Sequence, residues 1–220
     1  MLSSRQQPMA FKTTGRFITF DAGEGVGKST QSKLLVEALR SRGIRVTSTR
    51  EPGGTSGAEA LRSLLLNPAM KWEARAEALL FAAARSDHVE HLIMPALKRG
   101  DWVICDRFID SSRAYQGGAG GIGDKAIIAL HEIGTDGLLP DLTILLDLDP
   151  QLADSRANAR DNGAPDRIGA KGADYHEQVR QQFHRMAEHE PKRFAIVPAH
   201  GTAEEVHERV MRVVIPLISQ

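Results

Sequence analysis

Ala22-Gly23-Glu24-Gly25-Val26-Gly27-Lys28-Ser29-Thr30 follows directly on the apolar run Arg16-Phe17-Ile18-Thr19-Phe20. The order is strand, glycine-rich loop, then a helix beginning near Lys28, the context a phosphate-binding loop requires. Glycines let the backbone curl until successive N–H groups face phosphate oxygens, and the helix N-terminus adds partial positive charge. In such a loop Lys28 reaches the β- and γ-phosphates and the Ser29 hydroxyl holds Mg²⁺. The whole stretch from Ala22 to Thr30 is therefore expected to bind the phosphates of a nucleotide. The usual pattern opens with glycine, whereas this chain has Ala22, which must take a backbone conformation that a Cβ allows.

Outward from this loop, four more short apolar runs punctuate the chain: Arg45–Thr49, Trp102–Cys105, Leu142–Leu146 and Phe194–Val197. They mostly lack alternation, as buried parallel strands do. Helical patterns separate them, at Lys28–Ser41, Thr55–Leu66, Glu73–Arg99, Asp124–Ile133, Pro150–Arg160, Asp174–Glu190 and Ala203–Ile218, mostly stopped by Gly or Pro. Alternating strand and helix predicts an α/β fold, a five-stranded parallel sheet with helices on both faces. Ligands of such a sheet sit beyond the carboxyl ends of its strands. Those ends carry Arg50-Glu51-Pro52-Gly53-Gly54, Asp106-Arg107, Asp147 and Ala199-His200-Gly201-Thr202.

Bulk properties narrow the function. The 220 residues suffice for one α/β domain, read as a single domain over 16–220 after a polar, disordered lead-in at 1–15. Lys+Arg and Asp+Glu are both 28, so no global field argues for nucleic acid or a membrane surface. A single cysteine, Cys105, excludes a disulfide framework. No apolar run approaches the roughly 18 residues of a membrane span. The expectation is a soluble, cytoplasmic protein.

Asp106 ends an apolar strand, the placement of a carboxylate that holds Mg²⁺ beside Ser29. Arg107 follows and suits a second anionic group, since guanidinium matches phosphate bidentately. A kinase needs a donor and an acceptor phosphate subsite; Lys28 serves the first and Arg107 the second. Arg156, Arg160 and Arg167 lie in Asp154–Ile168, whose middle, Asp161-Asn162-Gly163-Ala164-Pro165, cannot be regular helix. A glycine-hinged flap bearing arginines is the lid a phosphoryl-transfer site uses. Glu24 repels phosphate and is suited instead to a sugar hydroxyl or to positioning Mg²⁺. Phe81 and Arg85 share one helix face, so one can stack on a base while the other bonds its edge. Ser111 to Gly118 reads as hydroxyls and an amide on a flexible glycine run.

These motifs together resemble the thymidylate kinases, over nearly all of the chain from Arg16 onward. The likeness rests on Gly25-Val26-Gly27-Lys28-Ser29-Thr30, Arg50-Glu51-Pro52-Gly53-Gly54-Thr55, Leu61–Leu65, Asp106-Arg107, Ala114-Tyr115-Gln116-Gly117-Gly118 and Leu139–Thr143. The resemblance implies a P-loop nucleoside-monophosphate-kinase-like fold and transfer from ATP to dTMP with Mg²⁺, in a homodimer packed through helices. It implies that Phe81 stacks on thymine, Arg85 donates to its carbonyl and Arg107 anchors the dTMP phosphate. Tyr115 becomes the wall near C2′, Pro52 the wall near the 5-methyl group and Glu24 the residue near the 3′-hydroxyl. Ser112 and Arg113 stand at the base edge, with Gln116 in the same dTMP-binding set. Arg160 is similar to the lid arginine of the bacterial type, whose loop carries none; Arg156 accompanies it at the ATP. Lys28, Glu24, Arg107 and Arg160 form the catalytic set. Two alternatives stay open on the residues alone: another deoxynucleoside or nucleoside-monophosphate kinase, and a P-loop switch module.

Overall fold

The computed structural model describes residues 15–161 and 166–218, the side chains of 158–161 excepted. Five parallel strands form one sheet in the order β2-β3-β1-β4-β5: β1 (Phe17–Asp21), β2 (Val46–Arg50), β3 (Trp102–Asp106), β4 (Leu142–Asp147) and β5 (Phe194–Pro198). β1 is buried along its whole length, as a central strand covered on both faces must be. It lies between β3, with Phe20 opposite Asp106, and β4, with Ile18 opposite Leu142. The strand order reverses at β1, so a crevice opens beyond its carboxyl end.

Successive side chains of a strand point to opposite faces. Ile18, Phe20, Ile104, Ile144 and Leu146 therefore pack under α1 (Lys28–Arg40) and α9 (Ala203–Ile218), against Leu35, Leu39, Val210 and Val214. On the other face Phe17, Val103 and Cys105 meet α3 (Ala74–His88) and α4 (Met94–Lys98). Leu145 meets Val179 and Phe183 of α8 (Ala173–His189) on that face. The remaining helices are α2 (Ser56–Leu66), α5 (Ile109–Ser112), α6 (Asp124–Thr135) and α7 (Pro150–Asp161). Among the described residues no helix is long and apolar enough to cross a membrane.

Two stretches differ from the sequence reading. The helix expected over Glu73–Arg99 is α3 and α4 joined by a π-helical turn at Val89–Ile93. Pro95, in the first turn of α4, has no N–H for the carbonyl four residues back, and the wider turn absorbs the break. The segment expected to be a flexible glycine run is ordered helix instead: α5 continues into a π-helical turn over Arg113–Ala119. Gly118 lies so close to the Gln182 side chain of α8 that a Cβ would collide with it. These glycines permit close packing. The expected lead-in at 1–15 lies, apart from Gly15, outside the described residues.

Beneath the crevice, Asp110 is fully buried and accepts from Arg193 at 2.6 and 2.9 Å, Thr143 Oγ1 at 2.9 Å and Arg113 at 3.2 Å. Burial alone would raise its carboxyl, but the arginines and the hydroxyl outweigh this and hold it below the usual range. Truncating one partner of such a cluster strands buried charge. Asp110→Ala should therefore lose about 3–5 kcal/mol in urea unfolding, and a loss under about 1 kcal/mol would show the cluster to be dispensable.

Candidate active site

The chain turns out of β1 at Ala22 and curls over the crevice. Gly25 and Gly27 both have positive φ, and Gly25 also lies against the Ala153 backbone of α7, where a Cβ would not fit. Ala22, in the place usually held by glycine, is fully buried and keeps a negative φ, so its Cβ costs nothing. Lys28 opens α1 and turns back into the loop, donating to the Gly23 carbonyl at 2.5 Å and the Ala22 carbonyl at 3.4 Å. Burial and the neighbouring Arg107 push its ammonium down to about 8, against the pull of Glu24, Asp106 and Asp21. An arriving phosphate would raise it again by favouring the charged form. Ser29 Oγ donates to Asp106 Oδ2 at 2.6 Å. These are two hard oxygen donors at the crevice rim, the donor set Mg²⁺ takes when phosphates complete its shell.

On the opposite side stands Arg107. Its Nη1 donates to the Ala22 carbonyl at 2.9 Å and to Ser111 Oγ at 3.1 Å, and its Nη2 to Glu24 Oε1 at 2.6 Å. Its guanidinium lies 5.2 Å from the Tyr115 ring centre, and the Tyr115 hydroxyl is 3.4 Å from Glu24 Oε1. Arg107 sits at φ +69°, an uncommon conformation for a side-chain-bearing residue. Ser111 Oγ in turn donates to Asp21 Oδ1, and Asp21 Oδ2 is buried with no partner among the described residues.

A cavity of about 500 Å³ joins the two sides, the size of a ligand pocket. Of the expected residues it brings together Glu24 to Thr30, Pro52, Phe81, Arg85, Asp106, Arg107, Ser112, Tyr115, Gln116 and Arg156. Ala22 and Gly23 do not line it: Ala22 is buried beneath the loop, and Gly23 lines a second cavity on the far side of it. Arg85 Nε donates to Glu51 Oε2 at 2.8 Å and Nη2 to Ser112 Oγ at 2.8 Å, while Nη1 has no partner among the described residues. Glu51 is itself held by His88 Nδ1 at 3.0 Å. Arg113 departs from its expected place at the base edge: it points away from the cavity, into Asp110, Asp124 and Glu190. Asp147 pairs with Arg180 at 3.0 Å and lines the second cavity. Sequence reasoning missed Arg62, which lines the site and donates to the Pro52 carbonyl at 2.7 Å. Its signal is its place in the Leu61–Leu65 stretch that carries the resemblance, but nothing local shows that α2 folds over the end of β2.

The family model for thymidylate kinase matches residues 20–210. The chain is 52% identical to the thymidylate kinase of Rhizorhabdus wittichii, over 93% of this chain and 99% of that one. It is 46% identical to the thymidylate kinase of Rhodopseudomonas palustris, over 96% and 93%. The crystal structure of thymidylate kinase from Ehrlichia chaffeensis superposes with a TM-score of 0.75 at 34% identity, covering 91% of this chain and 98% of that chain. The chain belongs to the thymidylate kinase family.

Three arginines bear on the segment expected from the sequence to form a lid. Arg156 on α7 reaches the cavity. Arg160 lies one turn further along α7, and its side chain lies outside the described residues. Arg167 is drawn away: its Nη1 donates to Glu77 Oε2 at 2.7 Å and its Nε to the Leu65 carbonyl at 2.8 Å. It fastens this segment to the end of α2 and the start of α3.

Asp21 gives this site a titration signature. Burial first, and then Asp110, push its carboxyl up to about 8, against Ser111, Arg107 and Lys28, which favour the charged form. The unfolded chain would ionise it near pH 4. The native state therefore binds the extra proton between about pH 4 and 8, and this residue makes stability fall as pH rises through that window. The melting temperature of Asp21→Asn relative to the parent should rise from pH 5 to pH 8; a difference independent of pH would refute the raised carboxyl.

Proposed function

We propose that this thymidylate kinase moves the γ-phosphoryl group of ATP onto the phosphate of dTMP, giving dTDP and ADP. One observation carries the reading: Lys28 and Arg107, from different elements, converge on the same Ala22 carbonyl oxygen, at 3.4 and 2.9 Å. Two cations meeting at one point suit two phosphates that must approach each other. A switch module, with one nucleotide, has no use for the second, and a nucleoside kinase has no acceptor phosphate to clamp.

In this mechanism the loop amides from Gly25 to Ser29 cradle the donor phosphates, and Lys28 leaves its carbonyl partners to follow the γ-phosphate. Arg107 leaves the Ala22 carbonyl for the dTMP phosphate. An oxygen of that phosphate attacks the γ-phosphorus while the bond to the β–γ bridging oxygen breaks. The acceptor is already anionic, so no general base is needed, and positioning with charge stabilisation does the work. Ser29 and Asp106 would hold Mg²⁺, which when bound neutralises charge on the nucleotide phosphates. Phe81 and Pro52 flank the thymine, Arg85 Nη1 faces its carbonyl, and Tyr115 with Glu24 borders the sugar. Residues 16–220 act as one kinase domain, with about 154–168 as its lid and Arg160, aided by Arg156, stabilising the transferring group. Its setting is the cytoplasm and its form a homodimer, supported by the exposed Leu79 of α3 (56%) and Ile133 of α6 (84%).

A coupled assay with ATP and Mg²⁺ tests the reading directly: dTMP should outperform dUMP, CMP and AMP. Arg107→Ala should raise the KM for dTMP about 10- to 100-fold, the worth of lost charge-assisted bonds, with far less effect on that for ATP. An effect confined to ATP would place Arg107 on the donor side.

For the lid, single-turnover transfer by Arg160→Ala should slow by at least about 10²-fold with dTMP affinity retained. A rate within about threefold of the parent would make Arg160 a solvated surface residue.

A further inference from the structure

Glu77 stands in the first turn of α3, is 3% exposed, and is not among the residues that line the cavity. An acid there is costly unless it is paired. It is paired three ways: Oε1 accepts from Gln116 Nε2 at 2.8 Å and faces Lys171 Nζ at 3.5 Å, and Oε2 accepts from Arg167 Nη1 at 2.7 Å. The two cations account for its charge, and the third contact has a further consequence. A carboxylate offers only acceptors, so the Gln116 amide must present its NH₂ to Glu77. Gln116 does line the cavity, and its Oε1 has no partner among the described residues. The carbonyl is thus the end of the amide left for a ligand.

We propose that Glu77 is a positioning residue for base specificity, fixing the Gln116 amide so that its carbonyl reads a donor N3–H on the pyrimidine. The inference rests on the proposed dTMP site. Arg85 lines the same cavity and contributes a donor at Nη1. One donor and one acceptor complement the O4 and N3–H of thymine. Cytosine presents a donor amino group and an acceptor N3, so both contacts would oppose it.

The test is steady-state kinetics of Glu77→Gln with dTMP and dCMP. Residue 77 would then carry both a donor and an acceptor, and the Gln116 amide could turn over. The KM for dTMP should rise about 3- to 10-fold with kcat little changed, and the preference for dTMP over dCMP should fall at least about tenfold. Glu77→Asp, which keeps an acceptor-only side chain, should retain most of the preference. An unchanged preference in Glu77→Gln, even with a lowered melting temperature, would make Glu77 purely structural and overturn the proposal. Should Glu77→Gln fail to fold, the parent enzyme decides with the 3-deaza analogue of dTMP, whose C3–H is no useful donor. Binding about 10-fold or more weaker than dTMP upholds the carbonyl orientation, and binding within about twofold overturns it. A parent enzyme inactive on dTMP would instead count against the function itself, a separate result.

Discussion

The guanidinium of Arg107 is the tie on which the site depends. Its backbone N–H donates to the Phe20 carbonyl of β1, while its side chain reaches the Ala22 carbonyl and Glu24 of the loop. One residue thus joins β3, β1 and the phosphate loop at the point where the strand order reverses. The positive φ that this requires is strain of the kind that functional sites hold, offset by charge-assisted bonds. Arg107 and Lys28 both donate to carbonyl oxygens of the loop, so the two cations are held at the mouth of the crevice. In the mechanism proposed above they exchange these protein acceptors for phosphate oxygens, and such preorganisation lowers the reorganisation required at transfer.

Around this tie the molecule distributes its buried acids in layers. Nearest the loop, Asp21 and Ser111 steady Arg107; one layer deeper, Asp110 gathers Arg193, Arg113 and Thr143. On the base side, Glu51 holds Arg85 and His88, and Glu77 holds Gln116 and Arg167. Each acid anchors a side chain that lines the cavity or sits directly beneath it. Buried ion pairs contribute little net stability and are costly to break singly, so their value here lies in fixing orientation. The segment that follows α7 shares this framework, since Arg167 ends on the same carboxylate as Gln116.

Much of this was legible in the sequence. The strands over Phe17–Phe20 and Trp102–Cys105, the helix after Lys28 and the loop between come from local patterns: apolar runs for buried strands, glycines for a curled backbone, Gly and Pro for stops. Asp106 and Arg107 were readable because an acid and an arginine at the end of a buried strand have few places to be except the crevice. The Ser111–Gly118 segment was misread, since glycine signals flexibility locally and close packing only when a neighbour such as Gln182 is known.

What the sequence could not carry are partnerships across long separations. Arg113 and Arg107 lie in one short stretch with the same chemistry, yet one turns into the Asp110 cluster and the other onto the loop. Arg167 looked equivalent to Arg156 until its contact with Glu77, 90 residues away, took it out of the cavity. Gln116 meets Glu77 across 39 residues and Arg107 meets Glu24 across 83. The sequence by itself determined the parallel α/β fold, the phosphate loop and the edge on which the chemistry lies, because periodicity, glycine and strand-end charge act within a few residues. Only the tertiary structure decided which arginines face the cavity and which way the Gln116 amide turns, because a buried charge goes where the fold has placed its counter-charge.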